Sequence, residues 1–202
     1  MFKDLSSKYY RWGLALALEN RISSAVEVLE KTVVFDESNW KAWNVLGLCR
    51  YRLGDFDKAK KAWQKSLIIN SETNPAARYL NDMESDEFKS LQKQYNLALE
   101  LALLGKYSQA IRIINGNKFL SSSFVRSLNL LGLCLYGKGK FRKARLKWEM
   151  ALSLDRDNPC STKYIAESMR LSNNRNFLVD WWKKAFKLSK RGLRDEELLS
   201  NS

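Results

Sequence analysis

Three cysteines, Cys49, Cys134 and Cys160, come closest to chemistry in this chain, and it contains no histidine to assist them. That absence excludes histidine-activated nucleophiles, histidine general bases and histidine-containing metal sites. None of the cysteines stands in a C-x-x-C pair, and their odd number argues for a reduced compartment rather than a disulfide framework. Cys49 and Cys134 read as small apolar fillers inside helices. Cys160 follows Asn158-Pro159 at an expected helix start, where the helix dipole could lower its pKa, although no catalytic partner is near it in sequence. The run Gly137 to Lys140, GKGK, lacks the spacing and the preceding strand of a phosphate-binding loop. Carboxylates are present, but mostly on expected solvent faces. The chain is therefore expected to be no enzyme, with no catalytic residue, cofactor or metal site.

The residues that recur are of another kind. Trp43, Leu46, Gly47, Gly54, Phe56, Ala59, Trp63 and Leu67 form one copy of a pattern. A shift of 34 residues back puts Gly47 on Gly13 and Ala59 on Ala25. A shift of 85 forward gives Asn44/Asn129, Leu46/Leu131, Gly47/Gly132, Leu48/Leu133, Cys49/Cys134, Tyr51/Tyr136 and Trp63/Trp148. A fourth copy holds Leu97, Ala98, Gly105, Tyr107 and Ala110. Apolar periodicity predicts two helices per copy, at 7–19 and 22–35, 40–53 and 56–69, 89–104 and 107–115, and 124–137 and 141–154. Gly54, Gly105 and Gly139 are placed to end first helices in a left-handed conformation. Gly13, Gly47, Ala98 and Gly132 fall inside helices, where close approach of the paired helix must offset the poor helix propensity of glycine.

A 34-residue period with W-x2-L-G early and a lone alanine later resembles the tetratricopeptide repeat (TPR) family over most of the chain. The resemblance implies an all-α, right-handed solenoid of helical hairpins that binds a partner rather than transforming a substrate. Asn74-Pro75 and Asn158-Pro159 each open a further short helix, so the larger unit is repeat–repeat–helix, used twice: residues 1–87 and 88–173, with the acid-rich stretch Asp82 to Glu87 as the joint. This duplicated layout is similar to that of some bacterial cytoplasmic TPR proteins. Residues 174–202 are expected to hold a capping helix and tail. There the segment Phe177 to Gly192 aligns as the opening helix of a third unit, with Trp182 where Trp12 and Leu97 stand and Lys183 at the small position. Its stripe of Phe177, Trp181, Ala185 and Leu188 also suits a helix lying on a membrane.

In the TPR family the first helix of each repeat lines a concave groove. Carried over by alignment, that groove comprises Tyr10, Leu14, Leu18, Asn44, Leu48 and Tyr51, and then Tyr95, Leu99, Leu103, Asn129, Leu133 and Tyr136. Such residues suit an amphipathic helix or an extended apolar peptide of a protein partner. The alternative is that the short helices near 75–83 and 160–170 fill the grooves. The clamp of lysine, asparagine and arginine that holds acidic chaperone tails is absent, since Tyr10, Leu14, Tyr95 and Leu99 occupy the matching positions.

Charge divides the chain unevenly. Residues 1–87 are neutral overall, and the whole formal excess of +13 lies in residues 88–202. The turn GDFDKAKKA in the first unit becomes GKFRKARLK in the second, which makes Lys138, Lys140, Arg142 and Lys143 candidates for polyanion binding. A basic face also suits an anionic membrane or an acidic protein segment, or serves solubility alone. No apolar run approaches the roughly 20 residues that span a bilayer, and the N-terminus shows no signal peptide, so a cytoplasmic location is expected.

Overall fold

A computed structural model describes residues 2–170. Its helices are α1 (Phe2–Leu18), α2 (Ile22–Phe35), α3 (Trp40–Leu53), α4 (Phe56–Ile69), α5 (Ala76–Glu84), α6 (Asp86–Leu103), α7 (Tyr107–Gly116), α8 (Lys118–Ser122), α9 (Val125–Gly137), α10 (Phe141–Leu154) and α11 (Pro159–Arg170). No strand occurs among the described residues. The eight helices read from periodicity are all present; α1 begins five residues earlier than expected, and α8 is an addition between the third and fourth hairpins. The capping helix expected within 174–202 lies outside the described residues.

Adjacent helices pair as α1–α2, α3–α4, α6–α7 and α9–α10, with α5 following the second pair and α11 the fourth. Punctuation is local. The Asn39 side chain caps α3 by accepting from the Ala42 N–H, and Ser85 caps α6 by accepting from Phe88. Gly54 and Gly139 take φ of +83° and +75°, a conformation that a side chain disfavours, and so release the chain from α3 and α9.

In three of the four pairs a large side chain is seated on a small one. A Cβ built on Gly13 would lie 2.8 Å from Leu29 Cγ. On Gly47 or Gly132 it would fall within the indole of Trp63 or Trp148. Those indoles are fully buried, and each Nε1–H donates across the pair: Trp63 to the Asn44 carbonyl at 3.2 Å, Trp148 to the Asn129 carbonyl at 3.3 Å. A buried indole needs such an acceptor, so the contact fixes rotation about the helix axis as well as distance.

The two halves share a core. Tyr51, Phe56, Phe88 and Phe124 form one aromatic cluster drawn from α3, α4, α6 and the N-cap of α9, with centroid separations of 5.0–5.9 Å. Leu53 also packs with Val125, Leu128 and Ala151. Residues from 1–87 and 88–170 are therefore joined through apolar surface, and not only through the chain at the 82–87 joint.

Gly132→Ala is expected to destabilise the protein, although alanine is by far the better helix former. Overpacking against Trp148 should cost about 1–3 kcal/mol, more than the roughly 1 kcal/mol of propensity gained. Denaturant unfolding of the variant checks this, and a stabilised protein would show that the indole yields freely.

Candidate partner-binding surface

Of the positions carried over by alignment, Leu18 on α1 and Leu48 on α3 are exposed, whereas Asn44 on α3 is buried. Leu18 is 78% exposed and Leu48 36%, and Tyr10 and Leu14 are half-buried beside them. Leu14 and Leu48 occupy the same place in successive repeats, so Tyr10, Leu14 and Leu18 of α1 and Leu48 of α3 belong to equivalent first helices. Tyr51 is half-buried within the aromatic cluster that joins the two halves.

The matching positions of the second half are covered by the chain itself. Leu99, Asn129, Leu133 and Tyr136 are buried, and Tyr95 and Leu103 half-buried. Leu133 is 2% exposed although its counterpart Leu48 stands open. Every residue of α9 from Leu128 to Tyr136 is buried. Tyr136 packs on Phe141 and Trp148, with centroids 4.9 and 6.0 Å away. The two inner faces, alike in sequence, differ in exposure.

Asn44 and Asn129 hold the short helices. Asn44 Nδ2 donates to Asn74 Oδ1 at 2.8 Å, at the threshold of α5, and Asn129 Nδ2 donates to Asn158 Oδ1 at 3.3 Å, at the threshold of α11. Asn74 is orientated by its own Nδ2, which donates to the carbonyls of Ser66 and Asn70. Asn129 Oδ1 accepts from the Ser161 hydroxyl at 2.8 Å. Ala76 stands at the place of Ser161, and Asn44 Oδ1 is buried with no hydrogen-bond partner among the described residues. The chain's own short helices thus engage both asparagines, but only the second network is complete.

Sequence reasoning missed a set of contacts that joins the ends of the described chain. The turn before α2 meets the turn after α10. Asp155 accepts from the Ser23 N–H at 3.0 Å and the Ser23 hydroxyl at 2.6 Å, and the Arg156 N–H donates to the Asn20 carbonyl at 2.7 Å. Asp157 accepts from the Ser24 hydroxyl and from Arg21 Nε at 3.3 Å. Burial raises the Asp155 carboxyl above its ordinary range. At Asp157 burial also acts upward, but the Ser24 and Arg21 hydrogen bonds help to hold it below. Arg52 adds a bond from Nη2 to Asn20 Oδ1 at 2.7 Å. The partners that join 20–24 to 155–157 are over a hundred residues apart, and no periodic pattern marks them.

The basic turn between α9 and α10 places Lys138, Lys140, Arg142 and Lys143 in solvent. None of the four makes an ion pair among the described residues. In the equivalent turn of the first half, Asp55 is buried and pairs with Arg50 at 3.3 Å and with Arg126 of α9 at 3.4 Å. The acidic residue there is thus part of the join between halves, whereas its counterpart Lys140 is free of one. Burial pushes the Cys49 and Cys134 thiols up to about 12. Partial burial also raises Cys160, so the lowering expected of a helix start does not occur. Among the described residues no acidic or cysteine cluster could hold a metal ion, and no helix is long and apolar enough to cross a membrane.

Residues 40–73, the second hairpin from the start of α3, match the family model described as tetratricopeptide repeat. No curated protein matches the sequence significantly. Among solved structures, the TPR domain of P58(IPK) aligns with a TM-score of 0.50 at 17% identity, over 93% of this chain and 56% of that one. This likeness concerns the fold. A MamA structure aligns at 21% identity over 79% of this chain and 76% of that one, with a TM-score of 0.34. MamA from Desulfovibrio magneticus RS-1 aligns at 14% identity over 92% and 96%, with a TM-score of 0.37.

Two substitutions test the asparagine networks. Ala76→Ser should supply the missing donor to Asn44 and stabilise the protein by about 0.5–1.5 kcal/mol, the net worth of one hydrogen bond. Ser161→Ala should cost about 1–3 kcal/mol, because it leaves Asn129 Oδ1 buried without a donor. Denaturant unfolding reads both, and effects of the opposite sign would show that these oxygens are satisfied in another way.

Proposed function

We propose that this chain, a tetratricopeptide-repeat protein by its sequence match and its fold, is a non-enzymatic scaffold that holds a peptide or helix of a protein partner. The observation that carries this reading is the difference between the two sets of first-helix positions: Leu18 and Leu48 are exposed, with Tyr10 and Leu14 half-buried, whereas Leu99, Leu133 and Tyr136 are buried; Asn44 and Asn129 are buried alike. Partner binding belongs to the first set. Exposed leucines on two equivalent first helices suit an amphipathic helix with leucine-like anchors, and contact with them removes exposed apolar surface from water. The working location is the cytoplasm.

A second reading rests on a separate observation. Lys138, Lys140, Arg142 and Lys143 are exposed, close in sequence and without ion pairs among the described residues, so they remain available to a polyanion such as RNA. Of the aromatic residues beside them, Trp148 is buried, and Phe141, 36% exposed, packs on Tyr136, which disfavours stacking of bases. Any such contact is to phosphate and is independent of base sequence.

Peptides selected from a random display library on the full chain test the first reading. Leu18→Asp and Leu48→Asp should each weaken the selected peptides by about tenfold or more, the effect of about 1.4 kcal/mol, with unfolding curves near wild type. Unchanged affinity in both variants moves the partner surface away from α1 and α3. The second reading is checked by retention on heparin across a salt series. Reversing the four cations to glutamate should flatten the dependence of log affinity on log salt, by about one unit for each anionic group that is no longer neutralised. Equal slopes for the two proteins would leave the turn as a solvated surface.

A further inference from the structure

The turns that follow α2, α4 and α10 are equivalent in the repeat, and the last of them reaches to a distant part of the chain. After α2, Asp36 Oδ1 accepts from the Ser38 hydroxyl of the same turn at 2.6 Å. After α4, Asn70 Oδ1 accepts from the Glu72 N–H at 3.0 Å. After α10 the same two positions hold Asp155 and Asp157, and both side chains bond to the start of α2. Asp155 is fully buried and Asp157 half-buried.

The donors at this join leave one acceptor over. Ser23 gives its N–H and its hydroxyl to Asp155, and Asn158 Nδ2 adds a third bond at 3.0 Å. Arg21 Nε and the Ser24 hydroxyl both go to Asp157 Oδ2. Asp157 Oδ1 is buried with no hydrogen-bond partner among the described residues. Such an oxygen is costly to leave unpaired, and the neighbouring group able to offer it a proton is the other carboxyl. The two side chains lie within hydrogen-bond reach of each other. Burial, the largest cause, raises Asp155; the Ser23 donors oppose the rise and the bond to Asp157 adds to it. At Asp157 burial also acts upward, yet the bonds from Ser24 and Asp155 hold it below its ordinary value. Asp155 is thus the member that keeps a proton, and Asp157 the member that accepts it.

We propose that Asp155 and Asp157 form a one-proton clasp: a single proton held between their carboxyls locks the turn after α10 onto the start of α2, and its release at higher pH loosens that contact. Asp155, raised in the folded chain, contributes stability that is full below the ordinary aspartate range and is lost as pH rises through its folded value. Asp157, lowered, contributes stability that is lost only as pH falls through its own folded value, beneath that range. The join is therefore tightest near the ordinary aspartate range and looser at neutral pH. Of the other groups around the pair, Arg21, Arg156 and, from α3, Arg52 stay cationic throughout. Cys49 of α3, lifted by burial to about 12, stays a neutral thiol. Glu19 stands exposed one residue before Asn20. Because Arg52 and Arg156 hold Asn20, the clasp also fixes the end of α1 that carries Leu18. It does not depend on where a partner binds.

Amide hydrogen exchange in the full chain tests it. The Ser23 and Arg156 amides donate across the join, and their protection is taken relative to the Leu46 amide of α3. That ratio should rise about threefold or more between neutral pH and the ordinary aspartate range. Asp155→Asn imitates the protonated acid, because its amide donates while its carbonyl still accepts. The variant should show the protection of the acid form at every pH. A wild-type ratio that does not change with pH, or a change that survives in Asp155→Asn, would overturn the proposal. The carboxyl carbon of Asp155, followed by NMR, gives a reading that needs no variant. Its titration midpoint should lie above that of an ordinary aspartate and above that of Asp157. A midpoint at or below the ordinary value would mean that no proton is shared, against the proposal.

Discussion

Two of the four hairpins hang on an indole seated against a residue with no side chain. Trp63 on Gly47 and Trp148 on Gly132 bring two helices closer than any Cβ would permit, and each indole N–H is spent on a carbonyl of the opposing helix. The contact combines large apolar burial with a directional bond, so it sets both spacing and rotation. Because Asn44 and Asn129 supply those carbonyls, the same residues that accept from tryptophan through the backbone reach onward with their side chains to Asn74 and Asn158. Closure within one hairpin and placement of the next helix are thereby parts of one arrangement.

Around that arrangement the two similar halves differ in exposure. In the second half Ser161 completes the asparagine network and α9 is sunk in the core. In the first half Ala76 leaves Asn44 Oδ1 without a partner among the described residues, and Leu18 and Leu48 remain exposed. The outer faces diverge in the opposite sense. Lys61 and Glu84 of the first half correspond to Leu146 and Met169 of the second, so charged surface positions give way to exposed apolar ones. Duplication supplied two copies of one scaffold, and substitution at a few equivalent positions assigned them different surfaces.

The join between halves draws on both apolar and polar contact. Tyr51, Phe56, Phe88 and Phe124 bury surface from four segments, while Asp155 and Asp157 meet the start of α2 through backbone and hydroxyl donors. A carboxylate that accepts several donors at a helix N-terminus is favourably placed in the field of the helix, and this geometry opposes the upward pull of burial on Asp155. The acidic residues at this join fix how one part of the chain lies against another.

The sequence by itself determined the helices, their pairing and the glycines that allow it, because these follow from contacts between residues within one repeat. Helix boundaries from α2 to α4 fall where the apolar period and the turn residues place them, and Gly54 and Gly139 have the positive φ that their positions require. The candidate groove was legible only as a set of positions. Leu48 and Leu133 are the same residue at the same place in the repeat, yet one is 36% exposed and the other 2%. Tyr51 and Tyr136 differ likewise. Burial at those sites depends on elements far along the chain, and a repeat pattern is blind to which copy ends up beside which. The meeting of the turns at 20–24 and 154–157 left no mark in periodicity, since serine and aspartate at helix starts are ordinary caps until another turn is brought against them. Tertiary structure decided which of two equal faces remains available, because exposure belongs to the assembled neighbours of a side chain and not to its local sequence.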